Sequence, residues 1–375
     1  MKQPIHTKAA NRLLTMTLAA CLAIGASTAG AQTYLVTDLG VLPDQEHSEP
    51  AAINRNGQVA GTSGSLAFRY TSTAKEKMEN VAKYTKGTSR AFGINESGLV
   101  VGDSTFGNEF SHAAVFSNGS ATDLGILKGR GPYSRANDIN SFGQVVGFSS
   151  QSPDSSAARA FLTNTSDRLR TMIDLGTLGG SYAQAWAIND SGSVTGNSQL
   201  KSEVGAVHAF IWTKAGMTDL GTLGGDFSYG TAINENNHVV GYSTLDERAN
   251  AIHAFLFDGK VMNDLGTLSD PSGDLDYSYA LGVNSYDHVV GYTYLPQRGP
   301  WPVAFVSQKG QMQNLNDLIG DANGKEYRID RATAINDAGQ IVAVAFVNSL
   351  GAFHAVLLSP NPAGLTSDAI AAPVK

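Results

Sequence analysis

Short apolar runs rich in Val, Ile, Phe and Ala, broken by Gly, Asn, Asp and Ser, fill the chain from residue 34 to residue 358. Runs of this kind predict strands joined by tight turns, and their β-branched alternation excludes a helical solenoid. One phrase recurs seven times: a small residue, an aliphatic, then Asn, at Asn54, Asn95, Asn140, Asn189, Asn234, Asn284 and Asn336. Successive spacings are 41, 45, 49, 45, 50 and 52 residues. Three positions after each Asn stand Gly57, Gly98, Gly143, Gly192, Asn237, Asp287 and Gly339, residues that tolerate a left-handed backbone. The repeated Asn is therefore expected to be a turn residue whose side chain accepts bonds from nearby backbone.

A second stretch follows each turn, as in Gln144-Val145-Val146-Gly147. Its glycine, seven residues after the Asn, suggests close approach of backbone from a neighbouring sheet. A third stretch reads His208-Ala209-Phe210-Ile211-Trp212, with relatives beginning at His112, His253 and His354. A fourth reads Met217-Thr218-Asp219-Leu220-Gly221, with Asp at 123, 174 and 264 and Asn at 80 and 314. The remaining fourth stretch, around Asp38, comes before the first turn, and the last repeat lacks one of its own. Four strands per repeat, with the missing strand supplied from the N-terminus, predict an all-β, seven-bladed β-propeller closed by its N-terminal strand. A β-solenoid is the alternative, but an open stack needs caps rather than a permuted strand.

The three linked phrases, fullest across residues 208–241, resemble the HAF family of bacterial extracellular repeat proteins. The resemblance covers nearly all of the chain after its first thirty residues. It implies secretion and a repeat fold, and it carries no catalytic residue over. Leu66, Arg159 and Val303 depart from the His of the third stretch.

The N-terminus adds a compartment. Lys2, Lys8 and Arg12 precede an apolar run over 13–26, and Ala29-Gly30-Ala31 matches a secretory cleavage site. The expected organisation is a signal peptide at 1–31, one propeller domain at 32–358 and a flexible tail at 359–375. Export to the periplasm or beyond follows; the alternative is a lipid anchor on Cys21, within Leu18-Ala19-Ala20-Cys21. Cleavage after Ala31 removes the chain's single cysteine, so disulfides cannot contribute to stability. No later apolar run reaches the ~20 residues of a membrane helix. A net charge of −7 argues against nucleic acid as a partner.

Residues present in every repeat are structural candidates before they are chemical ones. His112, His208, His253 and His354 occupy equivalent places in different blades, so they cannot converge on one metal ion at about 2 Å. Asp38, Asp123, Asp174, Asp219 and Asp264 are spread likewise, and turn acceptors are their expected role. No phosphate-binding loop, nucleophile elbow or zinc-protease motif is present, and neither catalytic residue, metal nor cofactor is expected.

Positions where the repeats differ carry the functional expectation. Five residues before each Asn stand Glu49, Arg90, Arg135, Gln184, Tyr229, Tyr279 and Arg331; seven before stand His47, Tyr133, Tyr182 and others. In a propeller these positions approach the mouth of the central channel. They divide into a basic arc with His47, Glu49, Arg90, Tyr133, Arg135 and Arg331, and an aromatic arc with Tyr182, Tyr229 and Tyr279. Arg forks suit oxyanions and aromatic rings suit sugar faces. The expected function is a monomeric binding module for an acidic polysaccharide or a surface protein. One alternative is a uronate lyase using His47, Arg90, Arg135 and Tyr133; another is a structural display scaffold.

Overall fold

The computed structural model describes residues 32–107, 110–152, 157–163, 171–201, 205–245, 251–268, 277–295 and 299–362. The expected signal peptide, and the tail beyond residue 362, lie outside the described residues. Among the described residues there are five four-stranded antiparallel sheets and one eight-stranded sheet. The larger sheet is two four-stranded runs touching through one parallel pairing, Val207 with Phe227. Each run is a blade built from one repeat, and the chain is a β-propeller. The N-terminal strand Tyr34–Gly40 pairs with the last strand Ala352–Pro360, in register Val36 with Leu358. That strand runs two residues past the boundary expected at residue 358.

The repeated Asn explains how the blades are held together. All seven turn residues three positions on have φ between +60° and +80°. Each Asn Oδ1 accepts the backbone N–H four residues ahead, as Asn140 does from Gln144 at 3.0 Å, which fixes the turn. Each Nδ2 is then free to donate outward, to the carbonyl of the same Asn in the next blade. The links run from Asn54 to Asn95, then to Asn140, Asn189, Asn234, Asn284 and Asn336, at 2.9 to 3.2 Å. Asn336 returns to Asn54 at 3.0 Å and closes the circle. All seven side chains are at least 95% buried, so these bonds are shielded from water.

Between blades the packing is apolar. The third-strand aromatics Phe68, Phe161, Phe210, Phe255 and Phe305 are fully buried, each wedged against a neighbouring sheet. Burying one such ring stabilises by about 1.5–3 kcal/mol.

The repeated glycine has a cause different from the one expected. A Cβ on Gly147 would sit 1.8 Å from the Arg135 carbonyl oxygen, in the first strand of the same sheet. Gly102, Gly196, Gly241 and Gly291 meet their own first strands in the same way. The close approach comes from a β-bulge in that strand, where the register slips between Ala136 and Asp138 and at equivalent places elsewhere.

One seam carries an ionisable group where the other repeats have Ala or Gly. Asp138 accepts from the Ile188 N–H of the next blade at 2.9 Å and from Ile139 at 2.8 Å. Burial pushes its carboxyl up to about 7, against the help of those two bonds.

Two outcomes follow from these contacts. Asn140→Ala removes four bonds at about 1 kcal/mol each, so urea unfolding should show a loss of about 4 kcal/mol. Asn140→Asp keeps the turn acceptor and loses the two bonds its Nδ2 donates, to the Asn189 carbonyl and to Gln144 Oε1, and should lose about 2–3 kcal/mol. For Asp138 the folded chain holds a proton that the unfolded chain releases near 3.8. Its contribution is whole below that value and is lost as pH rises through about 7. Unfolding of Asp138→Asn at a series of pH values should lack that part of the slope.

Candidate functional site

The first strands surround the axis, and the bulge decides which side chains reach it. The unpaired residue of each bulge lies three positions before the repeated Asn. Those seven residues, Ala51, Phe92, Asn137, Trp186, Thr231, Leu281 and Thr333, together line a chamber of about 440 Å³. Arg135, Tyr229 and Tyr279 from the level above line it too, with Tyr242 and Tyr292 from the second strands.

One side of the chamber is cationic. The Arg135 guanidinium lies 3.6 Å from the centre of the Phe92 ring and 5.5 Å from that of Trp186. Stacking of this kind keeps a charge in an apolar wall. Burial pushes Arg135 down to about 10, Asp103 opposing that shift and Arg90 adding to it, so it is still charged at neutral pH. Its buried Nε has no hydrogen-bond partner. Asn137 is 5% exposed and donates to the Ala185 carbonyl at 2.7 Å, while its buried Oδ1 is unpartnered. A buried acceptor and a buried cationic donor, both without protein partners, are what a polar ligand would satisfy.

The other side is aromatic. Tyr229 stacks on Tyr242 at 5.0 Å and Tyr279 on Tyr292 at 4.8 Å, with Tyr242 meeting Tyr279 edge-on at 5.0 Å. Burial raises all four phenols, Tyr292 to about 12, so they stay protonated donors.

Of the nine expected site residues, the chamber takes in Arg135, Tyr229 and Tyr279. Arg90 is committed to Asp103 through two bonds, at 3.0 and 2.5 Å. Arg331 and Glu49 face each other at 3.6 Å. Tyr182 accepts from Asn197 at 3.2 Å, and Tyr133 packs edge-on against Phe110 at 5.3 Å. His47 is exposed just before its strand and contributes its carbonyl, to Gly64 and Ser63. The basic arc thus narrows to Arg135. Phe92, Asn137 and Trp186 were missed because a bulge leaves no mark in an alternation pattern. Their signal was variability at a position flanked by small residues.

The repeated histidines and aspartates belong together. His112, His208 and His253 each donate from Nδ1 to the Asp eleven residues on, at 2.8 to 3.1 Å, and His354 pairs with Asp38 of the closing strand. Those Asp also accept the next turn's N–H, as Asp219 does from Gly221. Burial works to raise the Asp264 carboxyl, but its bonds from His253 and Gly266 hold it below the usual range. Where His becomes Arg159, the acid Asp174 stays and pairs with it at 3.0 Å. Where His becomes Leu66 or Val303, the partner position is Asn80 or Asn314. The pair is a clamp between third and fourth strands. No grouping of metal-ligating side chains occurs among the described residues.

Bladed four-stranded sheets around a lined axis define the class: an all-β propeller with an axial chamber. Within that class the chain belongs to the DUF3466 family, described as proteins of unknown function, whose model matches residues 133–351. No curated protein matches it. Among solved structures it is similar to the β-propeller domain of the Trilobed protease from Pyrococcus furiosus, at 12% identity and TM-score 0.47 over 87% of this chain and 95% of that one. It is also similar to a putative TolB from Agrobacterium tumefaciens, at 10% identity and TM-score 0.44, covering 88% and 99% respectively. TolB from Acinetobacter baumannii is 9% identical with TM-score 0.42 over 88% of this chain, which spans 63% of that protein.

The two arginine pairs should behave differently. Arg90→Ala leaves Asp103, whose side chain is 4% exposed, without its partner and should lower stability by about 1–3 kcal/mol. Arg331→Ala breaks an exposed pair and should change it by less than about 1 kcal/mol. Parallel urea titrations of the two variants check this.

Proposed function

We propose that this protein is a binding module of the exported HAF type, taking an anionic carbohydrate in its axial chamber. Arg135 carries the reading. It is a charged fork held against Phe92 and Trp186, with a buried N–H that no protein group satisfies. An oxyanion would complete it, and the facing Tyr229–Tyr242 and Tyr279–Tyr292 stacks offer flat surfaces of the kind that sugar rings pack on.

A lyase is less well supported. Proton abstraction needs a base within hydrogen-bond reach of the bound sugar, and neither His47 nor Tyr133 lines the chamber. A pure scaffold leaves the unpartnered Arg135 and Asn137 atoms without a reason.

The test is a glycan array probed with the purified protein and with Arg135→Ala. Losing a charged hydrogen bond of about 1.5–3 kcal/mol should weaken acidic-glycan binding roughly 10- to 100-fold. Arg331→Ala should leave it unchanged. Retention of every glycan interaction by Arg135→Ala would sink the reading.

A further inference from the structure

We infer that recognition in the chamber is end-on: the ligand is a terminal or free uronic acid residue, not an internal stretch of an acidic polymer. This rests on the chamber being an acidic-sugar site and adds how that sugar is presented.

The chamber has one usable mouth. Beyond the bulge level lies a separate space of about 130 Å³, lined by the aliphatics next to the Asn circle, such as Ile53 and Ile335, and by Arg55 with the acids around it. Arg55 reaches across that space. Its Nη2 is 3.7 Å from Glu235, while its Nε is 3.7 Å from Asp337 and 3.9 Å from Glu96. The order of the Asn links makes Glu96 and Asp337 the two neighbours of Arg55 and sets Glu235 across the ring from it. A guanidinium that reaches both neighbours and the opposite side lies over the axis.

The acids around it are fixed in place. Glu96 accepts from the Arg55 N–H, Glu235 from the Asp190 N–H, and Asp337 from the Ser285 N–H and hydroxyl. With Asp190 they outnumber the one arginine. The far mouth is therefore crossed by Arg55 and negative overall, which opposes passage of a carboxylate chain.

Inside, the unsatisfied atoms suit a uronate ring, and the size of the chamber and its far end make that ring a terminal one. Arg135 Nε needs an acceptor and Asn137 Oδ1 needs a donor. A carboxylate on the same ring as a hydroxyl supplies both, and the apolar ring face suits the tyrosines opposite. A cavity of about 440 Å³ falls at the lower end of the range for small-ligand pockets, which suits one or two sugar rings rather than a chain.

Calorimetric titration of the purified protein with glucuronate, galacturonate, their short oligomers and long polygalacturonate tests this. The expected result is affinity that stops rising beyond the disaccharide, with one protein bound per chain however long the chain is. Protein bound per chain that rises with length would overturn end-on recognition and leave the acidic-glycan reading standing. Absence of binding to every uronate probe would overturn this inference, while the acidic-glycan reading falls only if the glycan array is also empty.

Discussion

The bond from each repeated Asn side chain to the next Asn carbonyl is the constraint on which the rest of the molecule depends. One amide does two tasks with its two ends: the oxygen holds its own turn and the nitrogen ties that turn to the adjacent blade. An ionised carboxylate could only accept, and an aliphatic could do neither. Seven such bonds joined head to tail close a circle near the axis. The inner strands that carry them are thereby brought around one channel. Further out, the His–Asp clamps and buried Phe rings hold strands within and between blades, but they set no distance across the axis.

Because the circle is regular, chemistry can arise only where a repeat breaks its own pattern. Each inner strand makes the same bulge, and each bulge sends one residue into the chamber. The frame fixes where that residue goes and leaves its identity open. Asn137 gives its Nδ2 to the Ala185 carbonyl and Trp186 its indole N–H to Asn197, while Asn137 Oδ1 and, one level above, Arg135 Nε keep no protein partner. Arg90 and Arg331 look equivalent to Arg135 in the alignment of repeats but are neutralised by Asp103 and Glu49. Arg55 breaks the pattern at the opposite mouth, where one cation is shared among several acids.

Much of the fold was legible because the chain samples its own motif seven times. Gly57 and its counterparts, including Asn237 and Asp287, reported a left-handed turn, since few side chains tolerate that conformation. The strand around Asp38 reported closure by completing the last repeat. The pairing of His with Asp was also readable in principle, because Leu66 and Val303 accompany Asn80 and Asn314 while Arg159 keeps Asp174. The candidate site was legible only in part. Arg135, Tyr229 and Tyr279 were placed at the channel, whereas Phe92, Asn137 and Trp186 were not, because a bulge breaks the two-residue alternation on which such placement relies.

By itself, then, the sequence determined the repeat, its turns, its strand count per blade and the exchange of the N-terminal strand. Those features are local, set by which residues accept a given backbone conformation and which alternate between apolar and polar. What only the tertiary structure decided is which charges remain available. Whether an arginine on an inner strand is free depends on a carboxylate thirteen residues away, as for Arg90, or on another blade, as for Arg331. Partnership of that kind is a distance in space between side chains, and no spacing along the chain contains it.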